Sequence, residues 1–278
     1  MKVAITGASG YVGTCIANGF RAHGHEVLAL SRRPCPLPWV PYALGDDPTQ
    51  LPWQGVDVLV HAAYDFTSRT WQEILDRNVT PSVDLLQAAT QAKVGRLIYI
   101  SSMSSFDGCR SNYGKAKLMV ESEARELGAI VIRPGLVWGE SSGGVMGTLE
   151  KLVTNFRGVP YLTGSGNLKQ FLIHEADLSE TIVAMAGLPP SGSGVLHSAT
   201  HPHPVSLLAI LRSIAHRSNR SLLYLPVPWQ LAMAGLEFLE MLGIRSLFRS
   251  DSLTGLVHGN PHPEFLTPPA GICYRPFR

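Results

Sequence analysis

Seven residues near the N-terminus, Gly7-Ala8-Ser9-Gly10-Tyr11-Val12-Gly13, constrain this chain more than any others. They lie between an apolar stretch, Lys2–Thr6, that reads as a β-strand and a helical pattern over Tyr11–His23. In a strand–loop–helix context the first glycine permits a tight turn. The second lets the backbone approach a phosphate, and the third lets helix and strand pack closely. The helix N-terminus then offers free N–H groups and partial positive charge to an anion. A second strand, Glu26–Ser31, follows at the distance a βαβ unit requires. The candidate contacts to a dinucleotide are therefore Gly7, Ser9, Gly10, Tyr11, Val12 and Gly13.

The alternation continues. Val56–Ala62, Arg96–Ser101 and Ile130–Arg133 read as further strands, and Trp71–Ala92 and Tyr113–Leu127 as helices. The strands are apolar on both faces, as expected when helices cover both sides of a parallel sheet. The expected fold is α/β, a doubly wound parallel sheet of Rossmann type with a small C-terminal substrate domain. After Gly139 the texture changes, with a Gly/Ser-rich stretch over Ser141–Gly147 and Gly164-Ser165-Gly166 further on. The expected division is 1–140 plus 171–200 for the dinucleotide domain, and 141–170 plus 201–278 for the substrate region. Leu222–Gly243 reads as a strand, a Pro-x-Pro turn and an amphipathic helix whose apolar stripe suits a core or dimer contact. The proline-rich tail from Pro261 reads as an extended surface segment.

Composition closes off other classes. With 45% hydrophobic residues and a net charge of +2, the chain cannot be a disordered polyelectrolyte. No basic run asks for nucleic acid. Cys15, Cys35, Cys109 and Cys273 show neither C-x-x-C nor metal-ligand spacing, so no metal site or disulfide framework is expected. No apolar run reaches the about 18 residues of a membrane span, and no signal peptide is recognised. A cytoplasmic protein is the expectation.

The second strand ends in Ser31-Arg32-Arg33. A site for NAD places a carboxylate there, to accept from the ribose 2′-hydroxyl. Two guanidinium groups instead suit a 2′-phosphate. NADP is the expected cofactor, with NAD possible.

Tyr113 and Lys117 stand at i and i+4, one turn apart on one helix face. A phenol with pKa of about 10 is a poor base at neutral pH, and a nearby ammonium would lower it. Tyr113 could then exchange a proton with a substrate oxygen during hydride transfer. The strand upstream ends in Ser101-Ser102-Met103-Ser104-Ser105, which offers hydroxyls to orient that oxygen. Ser102 is the first choice and Ser104 the second.

These motifs together resemble the extended branch of the short-chain dehydrogenases/reductases, also called the NAD-dependent epimerase/dehydratase family. Thr6 to Gly13 matches its T-G-x-x-G-x-x-G. The resemblance implies that Asp46 of Gly45-Asp46 contacts the adenine. It implies that Ala62 and Ala63, in Val60-His61-Ala62-Ala63, lie under the cofactor. Pro134, in Arg133-Pro134-Gly135, would sit near the nicotinamide carboxamide, and Asn78 would support the helix near Lys117. Phe171-Leu172-Ile173-His174-Glu175-Ala176-Asp177-Leu178 resembles the family's F-V-H-V-x-D-L, and His174 there would either face substrate or only pack locally. Two departures stand out. The S-S-x-x-V-Y-G motif reads Ser102-Met103-Ser104-Ser105-Phe106-Asp107-Gly108, and Leu136 replaces an asparagine that in relatives contacts a nucleotide-sugar pyrophosphate.

The implied activity is hydride transfer to or from a carbonyl or secondary alcohol, reducing a keto group of a nucleotide-activated sugar. The alternatives are an epimerase/dehydratase with retained NAD, or a non-catalytic dinucleotide-binding subunit. A homodimer is a family habit. His197, His201 and His203 read as a solvated prolyl loop, and Cys15 as a small buried residue.

Overall fold

The computed structural model describes the chain except for residues 141–142, 165–167, 189–193, 245, 247, 261, 266–268 and 270. Ser141, Ser142, Ser165 and Gly166 of the two Gly/Ser-rich stretches lie outside the described residues.

The chain opens with β1 (Lys2–Thr6), α1 (Tyr11–Ala22), β2 (Glu26–Ser31), β3 (Trp39–Pro41) and β4 (Val58–His61). A long helix follows in three parts: α2 (Trp71–Ile74), a π-helical turn (Leu75–Val79) and α3 (Thr80–Gln91). Then come β5 (Arg96–Ile100), α4 (Asn112–Glu126), β6 (Ile130–Pro134), β7 (Leu136–Trp138), α5 (Gly144–Asn155), β8 (Gly158–Thr163), β9 (Lys169–Gln170), β10 (Leu172–His174) and α6 (Glu175–Ala186). The remainder is β11 (Val195–Ala199), β12 (Val205–Ser206), α7 (Leu207–Arg217), β13 (Leu223–Pro228), α8 (Trp229–Met241) and α9 (Ser250–Val257).

Seven strands form one parallel sheet in the order β3-β2-β1-β4-β5-β6-β11. Period-two alternation sends successive side chains to opposite faces. Val3 and Ile5 meet Ile16 and Phe20 of α1 and Leu178 and Ile182 of α6 on one face. Ala4 and Leu59 meet Leu85, Leu86 and Ala89 of α3 and Val120 and Ala124 of α4 on the other. The close α1–α6 contact needs Gly19, where a Cβ would lie 2.7 Å from that of Ser179. Strand order reverses between β1 and β4, and a crevice opens there beyond the strands' carboxyl ends. Beside this sheet, α5 and α7 enclose a smaller core with Val159 of β8 and Leu172 of β10. The pairs β8–β13, β9–β12 and β7–β10 lie around it.

Four sequence expectations change. The helix over 71–91 carries a π-turn rather than running uniformly. Pro226 and Pro228 belong to β13, tolerated because that strand pairs only with β8 in a two-stranded sheet. The apolar stripe of α8 is not core: Ala232, Met233, Leu236 and Leu239 are half-buried, and Met241 and Leu242 are more than half exposed. The tail is not wholly a surface segment. Tyr274 is buried, and its hydroxyl bonds Thr181 Oγ1 at 3.3 Å and His197 Nε2 at 3.0 Å. That pairing also removes His197 from solvent. An aromatic ring with one polar tip can close a core only where partners await its hydroxyl, and α6 and β11 supply them.

Candidate active site

The glycine loop follows β1 as the residues dictate. Gly7 adopts φ +69°, and a Cβ there would approach Ala63 Cα at 3.0 Å. Gly10 N–H closes the turn onto Gly7 O at 2.8 Å. At Gly13 a Cβ would sit 2.1 Å from Gly7 O, so α1 can begin only with glycine there. The cradle is locked from beneath. Thr6 Oγ1 accepts from Ala62 N at 3.2 Å and Ala63 N at 3.3 Å, and lies 2.7 Å from His61 Nδ1. His61 Nε2 lies 2.8 Å from Ser82 Oγ. Burial first, and Lys117 second, push the His61 imidazole down to about 3, so it is neutral between its two hydroxyl partners. This weld between β1 and β4 was not legible as a network in the sequence.

A cavity of about 990 Å³ runs from this cradle. Gly7, Ser9, Gly10, Tyr11, Val12 and Gly13 line one end, with Ser31, Arg32 and Arg33 at its rim and Ala62, Ala63 and Pro134 on its walls. Arg32 and Arg33 are exposed, whereas Ser31 is buried and donates from Oγ to Arg33 O at 2.7 Å. Tyr42, Ala43 and Leu44 line the neighbouring wall. The Tyr42 hydroxyl is buried and makes no hydrogen bond among the described residues. Asp46 is outside the lining: its carboxylate bends back to accept from Ala43 N at 2.7 Å. A cradle that any Cβ would fill, free N–H groups at a helix start and two guanidinium groups at the rim are the donor set that a dinucleotide needs.

The other end of the cavity is built around α4. Tyr113 is half-buried with its ring 4.9 Å from Tyr64 and 5.8 Å from Phe66. Lys117, one turn on, is buried; its Nζ donates to Ile100 O at 2.8 Å and lies 4.8 Å from the Tyr99 ring. Gly114 is required between them, because a Cβ would lie 2.2 Å from Ser104 O. Ser102 stands beside the Tyr113 phenol and favours its ionised form, and its Oγ accepts from Ser104 N at 3.1 Å. Ser104 also lines the cavity. Ser101 and Ser105 are structural: Ser101 donates to Glu121, and Ser105 donates to Gly114 O at 3.1 Å. Glu121 in turn holds Arg133 through bonds of 2.9 and 2.5 Å, tying α4 to β6.

The electrostatics differ from the expectation of an ammonium-lowered phenol. Burial pushes the Tyr113 phenol up to about 12, with the Ser102 hydrogen bond opposing it. Burial also pulls Lys117 down to about 7, against the Glu121 carboxylate. The ammonium is itself penalised and committed to Ile100 O, so desolvation dominates the pair. Asn78 lies in the π-turn and is buried. Its amide is spent on Asp65, accepting from Asp65 N at 2.6 Å and donating to Asp65 O at 3.1 Å, so it shapes the 63–66 wall. His174 caps α6, accepting from Ala176 N at 3.2 Å, with its ring edge-on to Trp138. Cys15 is half-buried, and its thiol meets Glu175, which also accepts from the Tyr11 hydroxyl at 3.0 Å.

Residues that the motifs did not mark complete the site. Leu136, Val137, Val145, Phe171 and Leu256 give the Tyr113 end an apolar wall, and Lys169 and Asp251 lie among them. A second cavity of about 780 Å³ adjoins through Gly259 and Asn260 and carries Arg110, Arg133, His258 and His262.

Comparison with known proteins gives the arrangement a family. Residues 3–194 match the NAD dependent epimerase/dehydratase family. The chain is 27% identical over 291 residues to a 3-beta-hydroxysteroid dehydrogenase of Mycolicibacterium neoaurum, spanning 88% of this chain and 78% of that protein. It is 27% identical over 201 residues to a ceramide reductase of Caulobacter vibrioides (strain NA1000 / CB15N), spanning 68% and 62%. Among solved structures, UDP-glucuronic acid 4-epimerase from Bacillus cereus in complex with NAD shares the fold with a TM-score of 0.70 at 18% identity, over 82% of this chain and 88% of that one. The family match begins inside β1 and ends at the threshold of β11, so it takes in six of the seven strands of the main sheet. The chain therefore belongs to the NAD dependent epimerase/dehydratase family, as an enzyme of the extended short-chain dehydrogenase type.

Proposed function

We propose that the chain is an NADP(H)-dependent reductase that converts a ketone on a lipophilic substrate to a secondary alcohol. The observation that carries this reading is the Tyr113 phenol, set beside Ser102 and lining the same cavity as the glycine cradle. A bound nicotinamide dinucleotide supplies the hydride. Tyr113, protonated at neutral pH, donates its proton to the substrate oxygen as charge develops there. The Ser102 hydroxyl orients that oxygen, itself held by the bond its Oγ accepts from Ser104 N. Lys117 has two further N–H donors beyond its bond to Ile100 O, which suits the ribose hydroxyls of a dinucleotide. Arg32 and Arg33 favour a 2′-phosphate, hence an exchangeable NADPH.

The substrate class follows from the wall. Met103, Leu136, Val137, Val145, Phe171 and Leu256 surround the reacting end, and the cations among the described residues lining it are Lys117, already turned to Ile100 O, and Lys169. A nucleoside diphosphate asks for more positive charge than that, whereas an apolar ring or chain gains about 25 cal/mol per Å² buried. The names of the hydroxysteroid dehydrogenase and ceramide reductase relatives point the same way. A second reading, a nucleotide-activated keto-sugar, is favoured by the adjoining cavity with Arg110, Arg133 and His258. One assay separates them: oxidation of NADPH and of NADH with ketosteroids and long-chain ketones, and with a nucleotide 4-keto-sugar. The lipophilic reading expects turnover with the first group and preference for NADPH. Turnover confined to the sugar transfers the assignment to the second reading, and equal use of NADH removes the role given to Arg32 and Arg33.

A further inference from the structure

The first four N–H groups of a helix have no partner within it. In α4 the regular ladder begins with Lys115 N donating to Ser111 O at 3.0 Å, and Ser111 Oγ accepts from Gly114 N at 3.1 Å. The N–H groups of Asn112 and Tyr113 are met by one carboxylate from far along the chain. Asp251 Oδ1 accepts from Asn112 N at 2.6 Å, and Oδ2 from Tyr113 N at 3.0 Å. Solvent could satisfy both groups, so what the carboxylate adds is attachment, reinforced by its negative charge at a helix N-terminus.

The neighbours of Asp251 complete the pattern. Arg249 donates to Phe66 O at 2.9 Å and Ser68 O at 2.8 Å, fixing the loop that presents Phe66 to the Tyr113 ring. Ser250 donates to Glu240 of α8 through its N at 2.9 Å and its Oγ at 2.6 Å. Three consecutive residues thus hold three elements: the 66–68 loop, α8 and the start of α4. Residues 249–251 themselves lie outside the family match over residues 3–194.

We propose that residues 249–251 form a clamp that sets the place of the Tyr113 phenol, with Asp251 as its positioning residue. The clamp acts through Tyr113 and so rests on the proton-donor role proposed above. The Phe66 wall of the Tyr113 ring and the Tyr113 backbone are then both held by one segment. A misplacement of about 1 Å can cost about a hundredfold in rate, so the attachment belongs to kcat rather than to substrate affinity.

The test compares Asp251→Ala and Asp251→Asn with the full-length wild type. It reads kcat, KM, dinucleotide binding by fluorescence, and amide hydrogen exchange of the first turn of α4. Asp251→Ala is expected to lower kcat about tenfold or more, to leave KM within about twofold, and to speed exchange at Asn112 and Tyr113. Asp251→Asn, which keeps one acceptor, should fall between. If Asp251→Ala fails to fold, Asp251→Asn carries the same comparison. Faster exchange with wild-type kcat in both variants, while Tyr113→Phe is inactive, would reduce Asp251 to a structural cap and overturn the proposal. Wild-type turnover in Tyr113→Phe would instead overturn the proton-donor role, and with it the reason for a clamp.

Discussion

At the scale of the residue, the site divides side chains that look alike in sequence. Ser102, the first choice, stands beside the phenol and favours its ionised form, while the backbone N–H of Ser104, the second choice, holds Ser102 in place. Ser102→Ala is expected to lower kcat by about a hundredfold. Ser104→Ala, which keeps the backbone N–H, should stay within about threefold; the reverse order in steady-state assays would exchange their roles. Tyr113 and Lys117 were legible from their spacing, because i,i+4 placement is a local property of a helix. Their electrostatics were not, because Tyr99 and Ile100 come to Lys117 from β5, and only that packing sets its burial against Glu121 of its own helix. The same holds for His61, which sequence offered only as part of a turn and which the fold seals between Thr6 and Ser82.

At the scale of the element, glycine and helix capping decide what the backbone can do. Gly13 was readable as a packing glycine, and the structure supplies the reason: a Cβ would fall on Gly7 O. Gly13→Ala must push α1 away from the loop. It is expected to cost about 1–3 kcal/mol in thermal or urea unfolding and to weaken dinucleotide binding in a fluorescence titration. Unchanged binding would remove the loop from the cofactor site. The π-turn over Leu75–Val79 escaped prediction because the apolar spacing of Trp71–Ala92 fits a uniform helix, while one widened turn alters the register only locally. Such turns gather at functional sites, and this one delivers Asn78 to the backbone of Asp65. Gly114 passed unmarked for the opposite reason. Its constraint, Ser104 O, comes from a neighbouring turn and not from its own helix.

At the scale of the whole molecule, the parallel sheet was readable because each strand announces itself locally, and βαβ handedness and order leave few arrangements. In the C-terminal third the strand and helix within Leu222–Gly243 were readable as elements, but the long-range contacts were not: Asp251 to α4, and Tyr274 to His197 and Thr181. No local pattern encodes them. Buried charge gives the molecule a pH dependence of definite sign. His61 is held near 3 and Lys117 near 7, both below their ordinary values of 6.5 and 10.5. The unfolded chain therefore binds more protons at these two groups over each window, so stability should rise with pH from about 3 to 6.5 and again from about 7 to 9, above which the raised Cys15 thiol and buried tyrosines oppose Lys117. Each group can contribute up to about 1.4 kcal/mol per pH unit. Urea unfolding across pH should show both slopes, and Lys117→Met should flatten the upper one; an unchanged upper slope would place its origin elsewhere.

The central claim is that the Tyr113 hydroxyl delivers the proton at a site whose dinucleotide cradle stands without it. Tyr113→Phe measures this most directly, assayed for NADPH binding by fluorescence and for ketone reduction by single turnover. The account predicts binding within about twofold of wild type and a rate lower by a factor of about 10² to 10⁴. A variant that binds NADPH and reduces the ketone at the wild-type rate would contradict it.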